Sequence, residues 1–160
     1  MIIIAKDLYG FIDTIMKPHG FVRKKETYYL HTEDCICYLV VEKSPYSGKY
    51  GLAMGCFYKK LLDATDKFPD YGRDNLRMSV SALADRDTVQ RVFDLEDNEF
   101  IKSERETQIA YLIEKCFLPF LNEVNTKEGI VAAIKKYEGH RYQLMADLAV
   151  KRALGIPCDD

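Results

Sequence analysis

Histidine is scarce in this sequence, with only His19, His31 and His140 among 160 residues. A Cys–His or Ser–His pair would therefore have to be assembled by tertiary folding alone. The three histidines fall at a turn, a strand end and a helix start, all ordinary places for a solvated imidazole. A glycine-rich phosphate loop is also missing, since Gly48, Gly51 and Gly55 match neither GxGxxG nor the P-loop spacing. No apolar run approaches the roughly 18 residues of a membrane span. Lys6 and Asp7 cut short Ile2, Ile3 and Ile4, so no secretory signal is read. The five cysteines (Cys35, Cys37, Cys56, Cys116 and Cys158) are odd in number and lack a framework spacing. They are expected to be reduced thiols in a cytoplasmic protein. Neither sign of charge dominates: 23 basic and 25 acidic residues give a net charge of -2. That balance offers no global attraction to nucleic acid or to an anionic membrane.

What is present describes a globular chain. Hydrophobic residues make up 48% and charged residues 30%, and the length suits a single domain over residues 1–160. Leu8, Phe11, Ile12 and Ile15 recur at helical spacing. Pro18 and Gly20 then predict a helix stop near Met16 or Lys17. Strands are expected over residues 21–30, 35–43 and 50–58, with turns over 31–34 and 44–48. Their short connections require antiparallel neighbours. Gly51 and Gly55 point to a bulge or to a close approach by another backbone. After a loose stretch over 61–74, residues 76–83 alternate apolar and polar as a half-buried strand would. Residues 89–95 fit a short strand or a helical turn equally well.

The last third reads as helical. One helix is expected from Asn98 to about Leu118, ended or kinked by Pro119. A second opens on an Asn125–Glu128 capping box. Gly139 breaks it, and a third runs over 140–154 to a stop at Gly155 and Pro157. The expected fold is α+β: an N-terminal helix, an antiparallel sheet of four to five strands, and C-terminal helices packed on one face.

Several segments carry a family resemblance: Lys17-Pro18-His19-Gly20-Phe21 after the first helix, the strands over 38–43 and 51–58, Arg91-Val92-Phe93-Asp94-Leu95, Leu118-Pro119-Phe120-Leu121, and Thr126-Lys127-Glu128-Gly129-Ile130. In order and spacing the chain resembles the bacterial family catalogued as domain of unknown function 4304. The resemblance implies the helix–sheet–helices architecture and no activity. By analogy, similar small domains look like immunity or accessory proteins of toxin loci, which is a fold-level analogy only.

No residue is assigned a catalytic, cofactor-binding or metal-binding role. Cys35 and Cys37 share one strand face and Cys56 falls on a neighbouring strand, but zinc sites favour C-x2-4-C loops, and buried thiols are the simpler reading. Asp94, Glu96, Asp97 and Glu99 lack the glycine and closing glutamate of a calcium loop and are expected to face the positive end of the following helix. They are also candidates, with Arg23, Lys24, Lys25 and Tyr28, for contact with a partner. The leading expectation is a non-enzymatic protein-binding domain. One alternative is single-stranded nucleic-acid binding, in which Lys24, Lys25 and Tyr28 share a solvent-facing surface and bases stack on aromatic rings. The other is an enzyme, which requires a deep pocket with convergent polar groups.

Overall fold

Leu8, Ile12, Ile15 and Met16 are buried along one side of the first helix, α1 (Ala5–Met16). A single 3-10 turn containing Pro18 follows, and Gly20 closes it in the left-handed region at φ 90°. The computed structural model describes residues 5–97, 99–137, 140 and 143–158. Six strands form one antiparallel sheet, ordered as in the chain: β1 (Val22–Lys24), β2 (Thr27–His31), β3 (Cys35–Lys43), β4 (Tyr50–Tyr58), β5 (Leu76–Met78) and β6 (Leu144–Ala146). The α+β architecture is as expected, with more strands than four to five.

Each additional strand has a physical cause. Residues 21–30 fold as a hairpin rather than one strand, with Lys24 facing Thr27 and Lys25 at φ 55°. Two-residue hairpin loops need such left-handed backbone and usually mark it with Gly or Asn. A lysine hid this one. β6 falls where a continuous helix over 140–154 is expected; among the described residues only Leu148–Ala153 is helical there (α6, numbered last in the chain). Asn75 holds this segment to β5: its side-chain amide donates to the Asp147 carboxylate, and its carbonyl accepts the Asp147 N–H, both at 2.9 Å. The break assigned to Gly139 lies outside the described residues.

Other boundaries also shift. β5 ends at Met78: the Ser79 N–H carries the β6 ladder one step further, to the Gln143 carbonyl (2.7 Å), and residues 80–82 then turn away as a 3-10 turn. Most of residues 89–95 belong to α2 (Arg86–Val92), which begins where the Asp85 carboxylate accepts the Thr88 N–H. Asn98, the expected helix start, lies outside the described residues, and the helix is described from Lys102 as α3 (Lys102–Tyr111). It neither ends nor breaks at Pro119. It widens into a π turn over Leu112–Phe117 and continues as α4 (Leu118–Glu123). The wider turn makes room for a ring that would otherwise strike the preceding carbonyl. Thr126, not Asn125, caps α5 (Lys127–Lys136), accepting the Gly129 N–H at 3.0 Å.

The sheet has two unequal faces. Cys35, Cys37, Leu39 and Val41 of β3, with Met54, Cys56 and Tyr58 of β4, join residues from all the helices in the main core. On the opposite face Tyr29, Ile36, Tyr38, Val40 and Phe57 form a smaller cluster. The loop between β4 and β5 straps it down through Leu62 and Tyr71. Gly55 permits the close approach of β5, since a Cβ there would lie 1.9 Å from the Leu76 carbonyl oxygen.

Candidate functional site

The basic residues near the hairpin do not make one surface. Arg23 lies on the helix side, where its Nε donates to Asp13 (2.8 Å), while Lys24 points to the other face and sits over the Phe68 ring at 4.8 Å. Lys25 is exposed at the turn. Tyr28 is fully buried, with its hydroxyl donating to Asp13 at 2.7 Å. Its ring cannot stack a base, so the shared surface expected of Lys24, Lys25 and Tyr28 is absent. Tyr29 is buried as well.

The acidic run is folded around two arginines. Arg91 pairs with Asp97 (3.5 Å) and with Glu99. Arg105 is only 1% exposed, and its guanidinium donates to the carbonyls of Arg91, Val92, Asp94 and Asp97. Asp94 accepts the Glu96 N–H (3.0 Å), and the Glu96 side chain lies against Gly48. These contacts tie the segment after α2 to the end of β4, where the Tyr50 N–H donates to the Phe93 carbonyl (2.9 Å) and the Leu95 N–H to the Gly48 carbonyl (3.0 Å).

That junction borders a groove with capacity for binding. In an antiparallel strand, alternate residues direct their N–H and C=O groups to opposite neighbours. Lys49 bonds Ser44 on the β3 side and Lys59 bonds Asp34 there, so the odd-numbered residues of β4 serve β3. Even-numbered residues face the other way: Met54 and Cys56 pair with β5, and Tyr50 meets Phe93. Leu52 falls in the gap between these two partners. Its N–H and C=O, with the C=O of Tyr50, have no partner among the described residues. They open into a groove of about 510 Å³ lined by residues that include Leu52, Ala53, Arg77, Met78, Ser79, Val80, Ser81, Arg86, Val89 and Gln90.

The groove carries two arginines, and no Asp, Glu, Cys or His among the described residues lines it. Arg77 is held by Asp74 (3.0 and 3.1 Å) and the Tyr71 carbonyl (3.1 Å), which uses Nε and Nη2 and leaves Nη1 without a bond among the described residues. The bonds to Asp74 outweigh burial and hold its pKa above that of an ordinary arginine. Arg86 is exposed and forms no ion pair among the described residues. Ser79 and Ser81 hydroxyls lie 2.8 Å apart. This set can hydrogen-bond a chain and hold an anion; it offers no base to activate a hydroxyl.

The cysteines pack as core thiols. Cys37 faces Cys56 across the β3–β4 ladder, and its thiol lies 3.6 Å from the Leu121 carbonyl. Burial pushes this thiol well above its ordinary pKa. Among the described residues no group of three or more His, Cys, Asp and Glu side chains is gathered as a metal would need, and no helix is long and apolar enough to cross a membrane.

The family profile described as Domain of unknown function (DUF4304) matches residues 12–123. The chain belongs to that family. No curated protein and no solved structure matches the chain. The family match spans β4, β5 and α2, so the groove lies within the family's own domain. Sequence reasoning missed Leu52, Arg77 and Arg86. The pair Gly51 and Gly55 gave a partial signal, because Gly55 is indeed a close approach of backbones. Gly51 is not: a Cβ there would meet only the Glu42 carbonyl, at 3.9 Å.

Proposed function

We propose that this protein is a non-enzymatic protein-binding domain that docks an extended segment of its partner at the interrupted edge of β4. The observation that carries this reading is Leu52, whose backbone donor and acceptor face a groove between two occupied stretches of the same edge. Unpaired edge groups are a template for strand addition, with main-chain bonds giving affinity and flanking pockets giving selectivity. Leu52, Val80 and Val89 supply apolar walls, and Arg77 and Arg86 supply charge. An immunity-like or accessory role would be one use of such binding.

The test uses Gly51→Trp. Gly51 is exposed, does not use left-handed backbone, lines the groove and would bring its Cβ only into ordinary contact with the Glu42 carbonyl, so the indole is expected to fill the mouth of the groove without disturbing the core. Affinity purification from native cells, followed by mass spectrometry, should recover a near-stoichiometric partner with the wild-type chain and lose it with Gly51→Trp. A partner retained by the variant contradicts docking in the groove, and recovery of the protein alone contradicts the binding reading.

A further inference from the structure

We infer that the groove reads the free C-terminal carboxylate of the docked chain; this rests on the docking reading above. The length of the gap is the first reason. From Tyr50 to Met54 the open edge spans about 13 Å at the usual rise of a strand. Phe93 closes one end by accepting the Tyr50 N–H, and Met78 closes the other by pairing with Met54. A strand running straight through would collide with both. A chain that ends inside the groove avoids one of the two collisions, so a terminus suits this gap better than a continuous strand and can pair with Leu52.

Charge decides which end. An N-terminal amine would seek carboxylates, and none among the described residues lines the groove. Arg77 has Nη1 unoccupied, and Arg86 has no ion pair among the described residues. A guanidinium presents donors in the planar fork that a carboxylate accepts. The hydroxyls of Ser79 and Ser81 and the amide of Gln90 can serve the remaining lone pairs. Leu52, Val80 and Val89 leave an apolar wall for the side chain of the last residue, which favours an aliphatic one. The same lining in a chain of net charge -2 makes this a local exception to the protein's overall sign.

The experiment compares two pools of short N-acetylated peptides with randomised sequences and an aliphatic last residue. One pool ends in the free acid and the other in the amide. Each is titrated into 15N-labelled protein while the Leu52 amide resonance is followed. The free-acid pool should move Leu52 and bind at least about tenfold more tightly than the amidated pool. Arg86→Gln, a change at an exposed position, should remove most of that preference while Leu52 still responds. Equal binding by both pools overturns the carboxylate inference and leaves strand docking intact. Tight acid-selective binding that Arg86→Gln leaves unchanged overturns the assignment of Arg86. If neither pool moves Leu52 but Gly51→Trp still blocks capture of the native partner, the carboxylate inference fails alone. If Gly51→Trp also has no effect, both readings fail.

Discussion

Under the helices, β3 contributes Cys35, Cys37, Leu39 and Val41 to a continuous apolar core; on its other face Ile36, Tyr38 and Val40 meet one strapping loop and their neighbours' rings. The first face is held by burial of aliphatic and aromatic surface from every helix. The second depends on directed polar contacts at the tips of its aromatic rings. Tyr29 donates to the Pro69 carbonyl (2.9 Å), Tyr38 to Asp74, and Tyr71 to Glu42 (3.1 Å), while Arg77 sits over the Tyr71 ring at 5.2 Å. The groove lies apart from the strap, at the β4 edge between the Met54–Met78 pair and the Tyr50–Phe93 bond.

Large truncations should separate the two faces most widely. Phe117 and Phe57 are both fully buried, one in each cluster. Phe117→Ala should cost about 4–5 kcal/mol in denaturant unfolding, because packed helices collapse poorly into a cavity. Phe57→Ala should cost about 3 kcal/mol, because a loop can settle into the space. Equal costs would remove the distinction. A smaller contrast lies within β4. Gly55→Ala should destabilise by about 2–3 kcal/mol as β5 is forced away, whereas Gly51→Ala should stay within about 0.5 kcal/mol of wild type.

Single polar contacts should matter less. Tyr38→Phe keeps the ring and removes the hydroxyl that bonds Asp74 and meets Arg77; Arg77 still satisfies the Asp74 carboxylate. A loss of about 1 kcal/mol is expected by the same unfolding measurement. The smallest effect concerns the tie between α1 and the hairpin. Burial would raise the Asp13 carboxyl, but hydrogen bonds from Arg23 and Tyr28 outweigh it and hold the pKa below the ordinary value. A depressed folded pKa stabilises fully above the unfolded value, near 4 for aspartate, and this stability is lost as pH falls through the folded pKa. Acid titration of stability should therefore be shallower for Asp13→Asn than for wild type below about pH 4. Identical slopes would show that Asp13 contributes nothing there.

The parts legible in the sequence were those governed by short periodicity. α1, β3 and β4 follow from the spacing of Leu8 to Ile15 and from the β-branched and aromatic runs of residues 35–43 and 50–58. β6 was not legible, because its strand pairing depends on Asn75 and Asp147, far apart in sequence. The hairpin was missed because Lys25 adopts a backbone conformation that sequence usually signals with glycine. The candidate site was hidden for a related reason. No residue type marks an unpaired edge; Leu52 is left open only because β5 ends at Met78 and the chain returns at Phe93. Several charged residues that stood out in sequence instead serve internal contacts, as Arg23 does with Asp13 and Asp97 with Arg91.

Amide hydrogen exchange along β4 tests the central claim most directly. In the free protein the Leu52 amide should exchange much faster than those of Met54 and Cys56, and a docked peptide should slow it to match them. Protection of Leu52 equal to that of Met54 before any partner is added would contradict an open edge, and with it the docking site.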